Sequence, residues 1–342
     1  MTERLRPFPV LRHLCFYPVF WAGYCVFRLS TRTPAAAYRS MRRLYTASQG
    51  RFNARVSKWI QRRPRAQPIH PRPGLVGDAH TLDACITNAL ADLERDGFHR
   101  FERPLPAEDV ARLVSFARRT DCRLIPPPTD GPRRARFDPA HALAPRYQLD
   151  EEDVIAEAGA HSLLVDDTLI HIAERYLAAP PINDLVAMWW SAPGAAESRS
   201  QAAQLFHFDL DRLRFLKFFV YLTDVGPTNG PHVLVRGSHR RRPAAFYADR
   251  RFSDEEVLAA FPNDIVELDG PAGTILAVDT SALHKGKPLT TGHRLILQIE
   301  YTNTLFGQRY TEPCVTAGSQ LGEAVLRHPE VFRRFSTCGS TV

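Results

Sequence analysis

The chain has 342 residues, 44% hydrophobic and 24% charged, which leaves room for one large domain or two of ordinary size. Its six cysteines, at positions 15, 25, 85, 122, 314 and 338, include no CxxC pair. That spacing excludes the usual zinc and thiol-redox motifs and leads us to expect reduced thiols in a cytoplasm rather than a disulfide scaffold. The net charge of +7 is uneven, because residues 1–77 hold 15 Lys/Arg against one acid, Glu3, and the remainder is mildly acidic.

The basic N-terminal part contains LCFYPVFWAGYCVF, residues 14–27. A membrane-spanning helix needs about 20 apolar residues, so this run is too short, and it lacks the small-residue cleavage site of a signal peptide. Aromatic and basic residues continue through Tyr38, Arg42, Arg43, Tyr45, Phe52, Arg55 and Trp59. Three readings are open: a helical extension packed on the body by its aromatics, an interfacial anchor on acidic lipid, and a nucleic-acid arm. No RNA- or DNA-binding motif supports the third, so nucleic acid is not an expected partner, whereas residues 1–72 could make peripheral membrane contact. RRPRAQPIHPRPG, residues 62–74, has four prolines and reads as an extended linker. It divides an extension, 1–74, from a domain, 75–342.

The domain opens with helices. Residues 82–98 place Leu82, Cys85, Ile86, Ala89, Leu90 and Leu93 on one stripe, and residues 107–119 carry acids in the first turn and arginines in the last. Residues 126–139 read as a loop, and another helix spans 165–178, stopped by Pro180 and Pro181. From residue 183 short β-rich runs follow: 185–190, 204–209, 214–225, 232–237, 264–269, 273–279 and 293–301. Turn segments such as APGAAES, GPTNGP and DGPAG separate them. Helices followed by many short strands indicate an α+β fold in which helices buttress a sandwich or barrel, of which the jelly roll is one form, with its core at about 183–302. A final short helix is expected within 321–335.

The run FHFDLD, residues 206–211, places His207 and Asp209 two positions apart. On a strand such residues point the same way and can grip one metal ion. His284, in LAVDTSALHKG, is the candidate third ligand. Two imidazoles and one carboxylate form the facial triad of non-haem iron(II) oxygenases, with open positions for substrates and oxygen. Arg294 begins another β-run ten positions later. Facing inward it would need an anionic partner, and the distal carboxylate of 2-oxoglutarate would serve.

HFD, TNGPHVLVRGSHR, AVDTSALHKG and GHRLILQIEY together resemble the phytanoyl-CoA dioxygenase family of iron(II)- and 2-oxoglutarate-dependent oxygenases, over about residues 80–302. The resemblance implies a double-stranded β-helix of the cupin type. It also implies Fe(2+), 2-oxoglutarate and O2 as cofactor and co-substrates. His207, Asp209 and His284 would be the iron ligands, and Arg294 would bind 2-oxoglutarate. The reaction would be hydroxylation of a small-molecule or acyl substrate with release of succinate and CO2. Two positions depart from the pattern. Gly286 stands where relatives often have a Ser or Thr that assists the Arg, and Arg236 stands before Gly237 where Pro is common. Asp209 is retained, which argues against halogenation.

Gln204, Trp190, Lys217 and Tyr221 should border the cavity, and of these Gln204, Trp190 and Tyr221 are candidate cofactor contacts. A core role for the aromatics and a solvated Lys217 are the plainer alternatives. Ser238 and His239 suit a turn, Asp211 suits a turn or a second acceptor, and Arg133, Arg134 and Arg136 suit a solvated loop. Two other functional classes stay open: a non-catalytic binding protein that kept the metal site, and a scaffold attached to a membrane through residues 1–72.

Overall fold

The computed structural model describes residues 14–61, 68–193 and 204–339. Residues 1–13, part of the Pro-rich linker and most of the APGAAES turn lie outside them.

Three helices come first: α1 (Phe16–Ser30), α2 (Ala35–Ser48) and α3 (Arg51–Gln61). Then follow α4 (Leu82–Arg95), β1 (Phe98–Arg100), α5 (Ala107–Arg119), β2 (Cys122–Ile125), β3 (Arg134–Ala135) and β4 (Arg146–Gln148). Three more helices, α6 (Glu151–Ala156), α7 (Ala158–Leu164) and α8 (Asp167–Leu177), lead to the first long strand, β5 (Ile182–Ser191). The remaining strands and helices are β6 (Phe215–Tyr221), β7 (His232–Val235), α9 (Asp254–Ala260), β8 (Ile265–Leu268), β9 (Ile275–Val278), β10 (His284–Gly286), β11 (Arg294–Thr302), β12 (Cys314–Thr316), α10 (Gln320–Arg327) and β13 (Ser336–Cys338). The helices expected at 82–98, 107–119 and 165–178 form with nearly those limits. Part of the expected loop at 126–139 pairs as β3 with β2, and Arg134 and Arg136 face Asp150 and Asp121.

An eight-stranded antiparallel sheet runs in the order β1-β9-β6-β11-β5-β4-β2-β3, opposite a three-stranded sheet, β10-β7-β8. Among the described residues no ladder closes the two into a continuous barrel; they are the two walls of an open jelly roll. Alternation along each strand sorts the side chains. Val186, Met188 and Trp190 of β5 and Leu295, Leu297 and Ile299 of β11 pack outward into the large core shared with α4, α5, α7, α8 and α10. Trp189, Phe219, Tyr221, Leu234, Leu276 and Ile296 fill the space between the sheets.

The N-terminal helices lie against the body, as the first of the three readings expects. Phe20, Tyr24, Met41, Leu44, Phe52, Val56 and Ile60 form a cluster closed by Leu213 and Phe306. Arg42 makes a bidentate pair with Asp249, at 2.8 and 2.6 Å, and Arg242 donates to the Tyr45 hydroxyl at 2.7 Å. The described end of the Pro-rich segment is a strap: His171 Nδ1 bonds Ile69 O at 2.7 Å and Thr168 donates to Arg72 O at 2.7 Å. Cys314 and Cys338, one on β12 and one on β13, form a disulfide, so the expectation of six reduced thiols does not hold.

Candidate metal centre

His207 is not in a named strand. The expected strand at 204–209 is an extended segment held by single bridges, Phe206 to Phe252 and His207 to His284. The second bridge is reciprocal: His207 N donates to His284 O at 2.9 Å and His284 N to His207 O at 2.8 Å. Two residues far apart in sequence are thereby set opposite one another, with ring centroids 4.3 Å apart. Asp209 N donates to Thr280 O, which fixes the third member on the same edge.

The side chains converge. His207 Nε2 lies 3.7 Å from Asp209 Oδ1, and His284 Nε2 lies 3.6 Å from Asp209 Oδ2. One ligand atom from each of the three residues lies within 4.8 Å of the others. The other ring nitrogens are occupied: Nδ1 of His207 donates to Leu205 O at 2.8 Å and Nδ1 of His284 to Ala282 O at 3.0 Å. Each ring therefore presents an Nε2 lone pair to the centre. Burial pushes His207 down to about 3 and His284 to about 4, so both are neutral near pH 7. Burial, the largest single influence, opposes ionisation of Asp209, but the Lys217 ammonium and the two imidazoles together outweigh it and hold the carboxyl well below its usual range. Two neutral imidazoles and one carboxylate fit a divalent metal with open coordination positions.

Lys217 is not solvated. It is buried on the inner face of β6, with Nζ 2.7 Å from Asp209 Oδ2, 3.2 Å from Glu300 and 3.7 Å from Asp211. Burial opposes its charge, yet Asp209 and Glu300 together keep it charged. Glu300, which is buried and near Asp184, is pushed up. Asp184 in turn receives Arg212 Nε at 2.7 Å. Asp211 thus faces Lys217 as well as anchoring a turn, where its carbonyl accepts from Gln308 N.

Arg294 is buried on the inner face at the start of β11. Its Nη2 lies 3.3 Å from Ser191 Oγ, its Nε has no partner, and no carboxylate faces it among the described residues. Ser191, on the neighbouring strand, is the hydroxyl beside this guanidinium. On the other side of Ser191, β4 places Arg146 in register, over the Trp189 ring and bonded to Gln148 Oε1. Both guanidiniums are pushed down to about 10, chiefly by burial, and Arg294 adds to the shift at Arg146. Such a pocket suits an organic anion with more than one oxygen to bind.

The remaining candidates divide. Trp190 does not reach the cavity: its ring stacks on Phe137 in the outer core and its Nε1 donates to Ala117 O at 3.3 Å. The inward tryptophan is Trp189, since the register pairs it with Ile296 rather than with an outward residue. Tyr221 faces inward beside Arg294, but its hydroxyl donates to Leu268 O and accepts from His232 N. Gln204 is half-buried at the start of the segment that leads to His207. Ser238 does fix a turn, bonding Val235 O and Leu283 N, whereas both ring nitrogens of His239 are buried without partners. His232, which has no ligand role in this geometry, stacks on His284 at 5.2 Å. Sequence reasoning missed Arg146, Trp189, Ser191 and the burial of Lys217. Only strand parity and cross-strand register could have found them.

Residues 93–295 match the family model for phytanoyl-CoA dioxygenase. No curated protein matches the chain. Among solved structures, AviO1 from Streptomyces viridochromogenes Tue57 is 21% identical, with a TM-score of 0.46 over 63% of this chain and 94% of that one. HygX from Streptomyces hygroscopicus, with nickel and 2-oxoglutarate bound, is 16% identical, with a TM-score of 0.45 over 67% and 89%. EctD from S. alaskensis is 20% identical, with a TM-score of 0.46 over 73% and 86%.

Proposed function

The chain belongs to the phytanoyl-CoA dioxygenase family, and from that premise we propose which residues carry its chemistry. Membership makes it a non-haem iron- and 2-oxoglutarate-dependent oxygenase or a related enzyme of that family. His207, Asp209 and His284 hold the iron, and the carrying observation is that both imidazoles are locked by Nδ1 bonds with Nε2 aimed at Asp209. Lys217 keeps Asp209 ionised and oriented. Arg294, assisted by Ser191, takes the distal carboxylate of 2-oxoglutarate, and its unpartnered Nε supports that role. With iron(II) and 2-oxoglutarate bound, the site activates O2, releases succinate and CO2, and oxidises a C–H bond of a small-molecule substrate, for which hydroxylation is the reading we favour. The protein's part is to position these groups and exclude water. Anaerobic titration with iron(II) and then 2-oxoglutarate tests this assignment. A weak visible charge-transfer band is expected, and His207→Ala, Asp209→Ala and His284→Ala each abolish it. A full band in any of the three would remove that residue from the ligand set.

We also infer peripheral contact with acidic membranes through α1. Among the described residues no helix is long and apolar enough to cross a membrane. The outward face of α1 nevertheless exposes Tyr17, Val19, Trp21, Val26 and Leu29, the last at 90%, beside Trp59 of α3. Exposed arginines 28, 32, 39, 43 and 55 accompany it, and α1–α3 contain no acid. An apolar stripe with basic flanks suits an anionic lipid surface. Flotation with phosphatidylglycerol vesicles, lost with phosphatidylcholine and weakened by Trp21→Ala, is the expected result. Equal indifference to both vesicles would dismiss the contact and leave a cytoplasmic enzyme without it.

A further inference from the structure

Under the N-terminal helices lies a cavity of about 360 Å³, bounded on one side by α2 and α3 and on the other by the segment that carries Asp209. It is smaller than the cavity of about 680 Å³ between α1 and the C-terminal segment, but that larger space includes none of the three metal-site residues.

Helix α3 turns two different stripes inward. Phe52, Val56 and Ile60 pack on the aromatic cluster that holds the cap in place. Asn53 and Ser57, one turn apart and therefore on one face, line the cavity. They are 3% and 2% exposed, yet Asn53 Nδ2, Asn53 Oδ1 and Ser57 Oγ have no hydrogen-bond partner. Burying an amide and a hydroxyl unpaired is costly, and an apolar residue at either position would serve packing better. A stripe built this way needs a partner that both donates and accepts.

The charge of the lining is one-sided. Its acids are engaged: Asp279 accepts from the Tyr176 hydroxyl at 2.6 Å, Glu94 faces Arg240 at 3.6 Å, and Asp209 faces Lys217. Three lining cations, Arg51, Lys58 and Arg214, have no acidic partner among the described residues; Arg214 lies over the Tyr176 ring instead. The rings of Tyr45, Tyr247 and Phe215 complete the wall.

We propose that this cavity is the substrate chamber, and that its occupant is a small organic anion whose polar group is read by Asn53 and Ser57 of the N-terminal cap. The proposal rests on the reading of Asp209 as an iron ligand, because Asp209 is where the chamber meets the metal set. The N-terminal helices thereby form part of the binding site as well as a packing element. Specificity for the anion comes from Arg214 and Lys58, and the chemistry of its carboxylate, phosphate or sulfate group is common to several metabolite classes.

A thiol introduced at the chamber wall tests this without the natural substrate. Ser57→Cys is nearly isosteric, and Asn53→Cys, one turn earlier, is the second reporter. Each variant is treated with an anionic sulfonatoethyl and a cationic trimethylammonioethyl methanethiosulfonate. Rates are read by peptide mass spectrometry and normalised to exposed Cys25. The introduced thiol is expected to favour the anionic reagent by at least about tenfold, the factor that a positive cleft gives. Arg214→Gln should cut that preference several-fold, and attachment of the sulfonate should shift the iron(II)–2-oxoglutarate band. Thiols inert at both positions, or a preference that is absent or reversed, overturn the proposal. A band indifferent to the attached sulfonate overturns its placement beside the metal. Absence of any band in the unmodified protein instead sinks the metal assignment, and the labelling ratios still report on the chamber.

Discussion

The barrel mouth and the N-terminal cap both bury polar side chains, and they treat them in opposite ways. At the mouth the three residues of the metal set are answered, His207 and His284 by backbone carbonyls and Asp209 by Lys217, while Arg294 Nε beside them stays open. Along α3 the amide of Asn53 and the hydroxyl of Ser57 are answered by nothing in the protein. A finished network holds its geometry before any ligand arrives, whereas an unfinished one is completed by the ligand. The first arrangement suits a metal that must be gripped the same way in every turnover. The second suits a molecule that enters and leaves.

Acid should expose this contrast most strongly. His207, His232 and His284 are pushed down to about 3, 3 and 4, chiefly by burial, from an ordinary value near 6.5. The unfolded chain takes up protons as pH falls through 6.5, while the folded chain does not until about 4. These groups therefore favour the fold fully above pH 6.5, and that contribution is lost as pH drops toward 4. The metal-free protein should lose up to about 1.4 kcal/mol per pH unit for each imidazole across that window, as read from urea midpoints. The helices α1–α3 contain no histidine and add nothing to the slope. Stability that stays flat from pH 6.5 to 4 would mean the mouth is wetter than its geometry indicates.

Lys217→Met comes next. It leaves Asp209 and its neighbours buried without their cation and should cost about 3–5 kcal/mol of stability, measured by urea unfolding. Arg294→Ala should weaken 2-oxoglutarate binding by about 2–5 kcal/mol, measured by titration of the charge-transfer band, while iron binding is spared. Normal affinity in that variant would hand the co-substrate to Arg146. The cap should answer with the other sign: Asn53→Leu removes an unpaired amide and should raise stability by about 1–3 kcal/mol, seen as a higher urea midpoint. A destabilised variant would show that Asn53 is satisfied after all and would erase the comparison. Leu29→Ala, on the exposed face of α1, should leave stability within about 0.5 kcal/mol.

The residues legible in the sequence were those whose meaning is local or carried by a motif. His207 and Asp209 are two apart on extended backbone, and the order of His284 and Arg294 after them is distinctive. The helices at 82, 107 and 167 were legible from their stripes. What stayed hidden depends on register between distant strands. Adjacent Trp189 and Trp190 read alike until β11 sets which one faces inward. Lys217 looked like a solvated interruption of an apolar run because its partner Glu300 lies on another strand. Ser191 and Arg146 join Arg294 only through the row that crosses β4, β5 and β11. The pairing of Cys314 with Cys338 follows from two short parallel strands that no spacing rule announces.

The reciprocal backbone bridge between His207 and His284 makes the identity of the proposed ligands a matter of alignment. If the segment before Leu210 slid by a single residue, phenylalanine would stand where an imidazole belongs, because Phe206 and Phe208 flank His207. Chains that zip up out of step would be unable to capture the cation at all.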